Sequence, residues 1–178
     1  MLRAALSFII GAAIALAIWW YATPAYNVLL SRIIGHAEAS GRSIKVTYTG
    51  APEIQIPADQ LTYNIILFAG LVAAAPPRRL ERLLIAIVAL LAFHVLALLA
   101  SIEATYATRA GAWSRTQYSP LAQDFWSSVD FIYRIGGLFA IAFVCWYAAI
   151  GARGPQPGTS KKPGKEGQGR RRAAASRR

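Results

Sequence analysis

The chain has 178 residues, 56% hydrophobic and 15% charged, with a mean hydropathy of +0.39. A soluble domain of this size would lack the polar surface to cover such an interior, so length and composition point to one membrane-embedded domain. The net charge of +11 is concentrated at one end: residues 151–178 carry nine Lys/Arg and one Glu, which leaves only +3 for the first 150 residues. That distribution does not describe a nucleic-acid-binding domain, and a single cysteine excludes a disulfide framework or a multi-thiolate zinc site.

Four apolar stretches predict spans at about residues 4–21, 60–75, 83–101 and 131–151. A hydrocarbon core of about 30 Å needs about 20 helical residues, which the first, third and fourth supply. The second, Leu61 to Ala75, makes roughly 22 Å of helix. It needs Ile56–Gln60 in the headgroup layer, or local thinning of the bilayer, to cross. Thr23-Pro24-Ala25 resembles a signal-cleavage site, but the long apolar run and the bulky Trp19-Trp20-Tyr21 favour a retained span ending in an interfacial aromatic belt.

The first outer link, residues 22–59, carries two patterns. Tyr26, Leu29, Leu30, Ile33 and Ala37 recur at helical spacing and predict an amphipathic helix that lies on the outer membrane surface or caps the bundle. Ile44, Val46 and Tyr48 then alternate with polar residues. Gly50-Ala51-Pro52 turns the chain, and Ile54 and Ile56 alternate again before Pro57, which predicts a β-hairpin. An isolated hairpin is marginal in water, so its Ile44, Val46, Tyr48, Ile54 and Ile56 face requires cover. That cover is either the chain's own surface or a partner, and these five are the candidate docking residues. The second outer link, residues 102–130, is rich in Tyr106, Trp113, Tyr118, Phe125 and Trp126, which fit an interfacial belt or a shallow groove.

Ionisable residues inside a span are costly and mark candidate sites. Arg134 stands about one turn into the fourth span, with Asp130 four residues earlier on the same helix face. Glu103, at the end of the third span, is expected to reach that pair if the two helices are neighbours. The cluster is either an interfacial ion pair with a snorkelling arginine or an anion- or peptide-contacting site. His94, near mid-span in the third helix, and Asn64 in the second are expected to bridge helices by hydrogen bonds, with a proton relay as the other role. No second histidine lies in a span, so no metal or cofactor is assigned. Cys145 follows Arg134 by 11 residues and is flanked by Val144 and Trp146. That places it about 16 Å along the helix in apolar surroundings, where a thiol is inert. No nucleotide-binding, serine-hydrolase or metalloprotease motif is present in the sequence. Gly11/Ala15, Gly70/Ala74 and Gly136/Ala140 permit close helix contact.

Residues 153–178 contain Gly, Pro, Ser, Lys and Arg and almost nothing to bury, which predicts a disordered tail. Its Arg170, Arg171 and Arg172 are expected to contact anionic lipid. Nucleic acid is not an expected partner, because no aromatic residue interleaves these charges. With four spans, Arg3, the Arg78/Arg79/Arg82 link and the tail place 13 basic residues on one side against six on the other. Both termini are therefore expected in the cytoplasm.

Several stretches together resemble a known class: Ala17-Ile18-Trp19-Trp20-Tyr21-Ala22-Thr23-Pro24 at the end of the first span, the helical segment after it, Leu61-Thr62-Tyr63-Asn64 and Pro76-Pro77-Arg78-Arg79. Over about residues 5–105 this layout resembles small integral membrane proteins that accompany exosortases, the bacterial transpeptidase-like enzymes thought to process sorting-signal proteins. The resemblance implies a non-catalytic accessory role in envelope sorting or export and brings no active-site residues. The expected fold is an all-α membrane protein with four transmembrane helices and a small extracytoplasmic amphipathic helix plus β-hairpin. Its expected partners are the bilayer and another integral membrane protein. The alternatives are an oligomeric small-solute transporter using His94, Asn64, Glu103 and Arg134, or an enzyme acting at the outer face through Asp130, Glu103 and Arg134.

Overall fold

A computed structural model describes residues 2–77 and 79–150. The expected lipid-contacting Arg170, Arg171 and Arg172 lie outside the described residues. Helix α1 (Leu2–Ile34) takes up both the first apolar stretch and the segment expected to form a separate surface helix. At 33 residues it is about 50 Å long. Pro24 lies inside it and has no N–H to give the carbonyl of Trp20. Arg42 fills that gap: its Nη2 donates to the Trp20 carbonyl at 3.3 Å, and its guanidinium sits 3.2 Å from the centroid of the Trp20 ring. Past the proline, Asn27, Leu30 and Ser31 are buried, so this turn of α1 faces the protein and not a membrane surface. Gly35, at φ +80°, ends the helix and returns its N–H to the Ser31 carbonyl at 3.0 Å.

The expected hairpin is a three-stranded antiparallel meander of β1 (Ala37–Ser40), β2 (Ser43–Val46) and β3 (Ile54–Ile56). Strand β1, Ala-Glu-Ala-Ser, has little strand propensity of its own. The two-residue turn Gly41-Arg42, with Gly41 at φ +61°, folds β1 back on β2 so that Ala37 faces Val46 and Ser40 faces Ser43. Ile44 pairs with Ile56 and Val46 with Ile54, which puts all four on one face. That face is closed by Leu30 of α1 and by Ala58, Leu61, Leu98, Ile102 and Tyr106 from the helices that follow the sheet. Ile44 and Val46 are 0% exposed, Ile56 1% and Ile54 8%. Tyr48 is half-buried against Tyr106, with ring centroids 5.5 Å apart. The five side chains expected to dock a partner are thus spent on holding the sheet to the helices.

Pro57 ends β3, and α2 (Ala58–Thr62) begins at once. After Tyr63 the chain enters α3 (Asn64–Ala74). This second apolar region is a short element of about 16 Å in α3, not a long helix. It packs between α1 and the last described helix, Leu138–Ile150. Gly11 of α1 lies directly against Ala73, and Gly70 against Phe8 and Ala12, so small residues set the α1–α3 spacing. Helix α4 (Leu80–Arg109) extends well past its expected end. Helices α5 (Ala112–Gln117) and α6 (Pro120–Ile132) occupy most of the second link. Ser119 caps α6 through Ala122 N–H at 3.3 Å, with Pro120 at the first helical position. A π-helical turn over Tyr133–Gly137 joins α6 to α7 (Leu138–Ile150), which makes one rod from Pro120 to Ile150.

The described chain is therefore mostly helical, with a small sheet. Three of its helices, Leu2–Ile34, Leu80–Arg109 and Pro120–Ile150, are long and apolar enough to cross a membrane. These mark a membrane protein. A second core of Phe68, Ala86, Leu90, Ala142, Cys145 and Ala149 joins α3, α4 and α7 away from the sheet. The Cys145 thiol is buried within it.

Candidate functional site

Two polar constellations stand out against this apolar background. The first is a buried chain of hydrogen bonds through the middle of the bundle. His94 of α4 is 1% exposed and lies between Tyr26 of α1 and Asn64 of α3. Its Nδ1 is 2.6 Å from the Tyr26 hydroxyl and its Nε2 is 2.6 Å from Asn64 Oδ1. An amide oxygen only accepts, so Nε2 carries the proton and Nδ1 accepts from Tyr26; the network assigns the tautomer. Asn64 Nδ2 is buried without a partner among the described residues. The two expected bridging residues do meet, with Tyr26 completing the chain. No sequence pattern linked Tyr26 to them, because 68 residues separate it from His94. Tyr26 and His94 also close one end of an apolar groove of about 630 Å³ between α1, α3 and α4, floored by Phe68, Ala69 and Val72.

The second constellation lies beside the sheet. The Arg134 guanidinium touches three elements. Its Nε donates to Asp130 Oδ2 at 2.7 Å, its Nη2 to Ser101 Oγ of α4 at 2.9 Å, and its Nη1 to Gln60 Oε1 of α2 at 3.3 Å. The π-helical turn starts one residue earlier, at Tyr133, whose hydroxyl donates to the Leu61 carbonyl at 2.8 Å. Neighbouring residues of α2, Gln60 and Leu61, are therefore held by neighbouring residues of the rod. Such single-turn expansions recur at functional sites. The Asp130–Arg134 pair falls as its spacing predicted, but Glu103 is not part of it. Residues two apart on a helix point to different sides, so with Ser101 turned to Arg134 the Glu103 carboxylate faces elsewhere. It accepts from the Tyr118 hydroxyl at 2.7 Å. Burial first, then this bond to a carboxylate, push the Tyr118 phenol above its ordinary range.

Beside Arg134 opens a pocket of about 310 Å³. Two polar stripes face each other across it. Thr105 and Arg109 continue the α4 face that Ser101 begins, four residues apart each time. Ser127, Asp130 and Arg134 are spaced three and four apart on the rod. Gln55, Gln60 and Phe131 also line it. Of these only Asp130 and Arg134 were singled out from the sequence. The four-residue spacing of Ser101, Thr105 and Arg109 was the available signal, masked because it runs across the expected end of the third span. Among the described residues no three His, Cys, Asp or Glu side chains come together as metal ligands. Two aromatic residues of the second link serve the fold: Tyr106 donates to the Val46 carbonyl at 3.3 Å and Trp113 Nε1 to the Gly50 carbonyl at 3.1 Å, which tie the sheet to α4 and α5. Comparison of the chain with family models, with curated proteins and with solved structures finds no match in any of the three.

Proposed function

We propose that this chain is a non-catalytic scaffold subunit of a bacterial-type inner membrane. It would cross the membrane four times with both termini in the cytoplasm, and serve an envelope protein-sorting or secretion complex. The observation that carries the reading is the use made of its polar side chains. His94, Asn64 and Tyr26 bond to one another across three helices, and Arg134 bonds to α2, α4 and its own rod. Side chains committed in this way are ties between elements, and they favour a rigid platform over a route for solute. The sheet is bolted to the same helices by Tyr106, Trp113 and its own apolar face.

The partner would meet the structure along α1, the least covered of the three long helices: 6% of its most apolar window is buried, against 28% for α4. Leu6, Ile10, Ile14 and Ile18 form an exposed stripe at intervals of four. The exosortase-type layout of residues 5–105 supplies the pathway in this reading, and the 13-to-six division of basic residues supplies the orientation.

The test is crosslinking of a tagged chain in intact membranes, mild-detergent purification and measurement of the stoichiometry of what co-purifies. The expected result is a membrane-embedded partner in fixed ratio, crosslinked from a cysteine placed at Ile14 but not from one at Ala142. A pure homo-oligomer with no partner would overturn the proposal.

A further inference from the structure

The pocket beside Arg134 has a charge imbalance that the fold itself does not use. Asp130 neutralises Arg134 at 2.7 Å. Arg109 lines the same pocket, is exposed, and among the described residues has neither an ion-pair partner nor a side-chain hydrogen bond. Two guanidiniums therefore face one cavity with a single carboxylate between them. A guanidinium has five N–H donors, and Arg134 commits three of them. The remaining lining adds the amides of Gln55 and Gln60 and the hydroxyls of Thr105 and Ser127. An anion with several acceptor oxygens matches this donor set.

The position of the pocket narrows the ligand. It lies where β3 and α2 meet the helices, next to Phe131 of the rod, which is 62% exposed. The lining thus combines an exposed aromatic ring on a rod of membrane-spanning length with polar side chains of the sheet and α2. A group at that level meets both hydrocarbon and water, as the phosphate of a membrane lipid does.

We propose that this pocket binds a phosphate oxyanion at the membrane–water boundary, with Arg109 and the uncommitted N–H groups of Arg134 as its principal donors. The phosphate is that of a phospholipid headgroup or free phosphate from solution. The site needs no partner protein and does not depend on which side of the membrane the sheet occupies, so it stands or falls separately from the scaffold role.

The test uses the full chain in detergent, with its basic tail intact in every variant so that tail binding is a constant background. Equilibrium binding is measured for dispersed phosphatidylglycerol, for inorganic phosphate, and for diacylglycerol, which has the same chains without the phosphate. Arg109→Ala is the first variant, because Arg109 makes no side-chain bond that the fold would lose. Arg134→Lys is the second, since it keeps the charge and loses the planar fork. Loss of a charge-assisted pair predicts at least about tenfold weaker phosphatidylglycerol binding in Arg109→Ala, with a smaller loss in Arg134→Lys. If inorganic phosphate competes and shows the same loss, the free ion is the ligand; if it does not compete, the headgroup is. Wild-type affinity in Arg109→Ala, or diacylglycerol binding equal to that of phosphatidylglycerol, would overturn the proposal.

Discussion

Replacing His94 by leucine removes both hydrogen bonds of the Tyr26–His94–Asn64 chain while keeping an apolar side chain of similar size at a position that is 1% exposed. Hydrogen bonds between helices in a membrane average about 0.6 kcal/mol and reach at most about 1.7 kcal/mol. Two of them therefore put the loss at about 1 to 3 kcal/mol. The upper half of that range applies because Tyr26 and Asn64 Oδ1 are left without partners next to Asn64 Nδ2, which already has none. Reversible unfolding of the full chain in mixed micelles, followed by helical circular dichroism, measures this directly. Asn64→Leu should cost less, since it also removes the orphaned amide. The double variant should lose less than the sum of the two singles, because both delete the same His94–Asn64 bond. Wild-type stability in His94→Leu, or strict additivity with Asn64→Leu, would refute the idea that this chain ties the helices. A flux that vanished in His94→Leu at unchanged stability would instead favour a transport path.

Four further outcomes follow from the structure. Gly11→Ala should destabilise by about 1 to 3 kcal/mol, because the new Cβ collides with Ala73 Cβ, a rigid methyl with no rotamer to escape into. Gly136→Ala, with nothing within 4 Å, should be neutral or slightly stabilising in the same unfolding assay. Ile44→Ala should cost about 2 to 5 kcal/mol and loosen the sheet, seen as faster amide exchange in β2 and β3, because the side chain is 0% exposed against three helices. Tyr118 has a folded-state pKa above the unfolded value of 10.0, so its contribution is fully present below about pH 10 and is lost as pH rises beyond it. Stability should therefore fall in alkali, and Tyr118→Phe should lessen that fall and remove one late-titrating phenol from the ultraviolet titration.

Much of the architecture was legible in the residues, and the exceptions have physical causes. The first, third and fourth apolar stretches are long enough that length and composition alone make them helices. Strands β2 and β3 were visible because Ile44, Val46, Ile54 and Ile56 alternate. Strand β1 was not, because Ala37–Ser40 extends a helical spacing and carries no β-forming residue; only the Gly41 turn and the backbone of β2 recruit it. The surface helix was misjudged at Pro24, where local rules allow a break. The repair comes from Arg42, whose partnership with Trp20 spans 22 residues.

The candidate sites divide in the same way. Asp130–Arg134 follows from helical spacing alone, since four residues is one turn wherever the helix lies. That His94 and Asn64 bond to each other, and that Tyr26 joins them, required α1, α3 and α4 to be packed, because hydrogen-bond partners beyond one turn are chosen by which helix faces meet. The expectation for Glu103 failed for that reason, and Ser101, Gln60, Thr105 and Arg109 went unnoticed for it. Composition and periodicity by themselves determined that this is a helical membrane protein with a small strand module and a strongly basic end. Tertiary packing decided what each polar group does. In an apolar medium a polar atom must find a bonding partner within the protein, and the partner can come from any part of the chain.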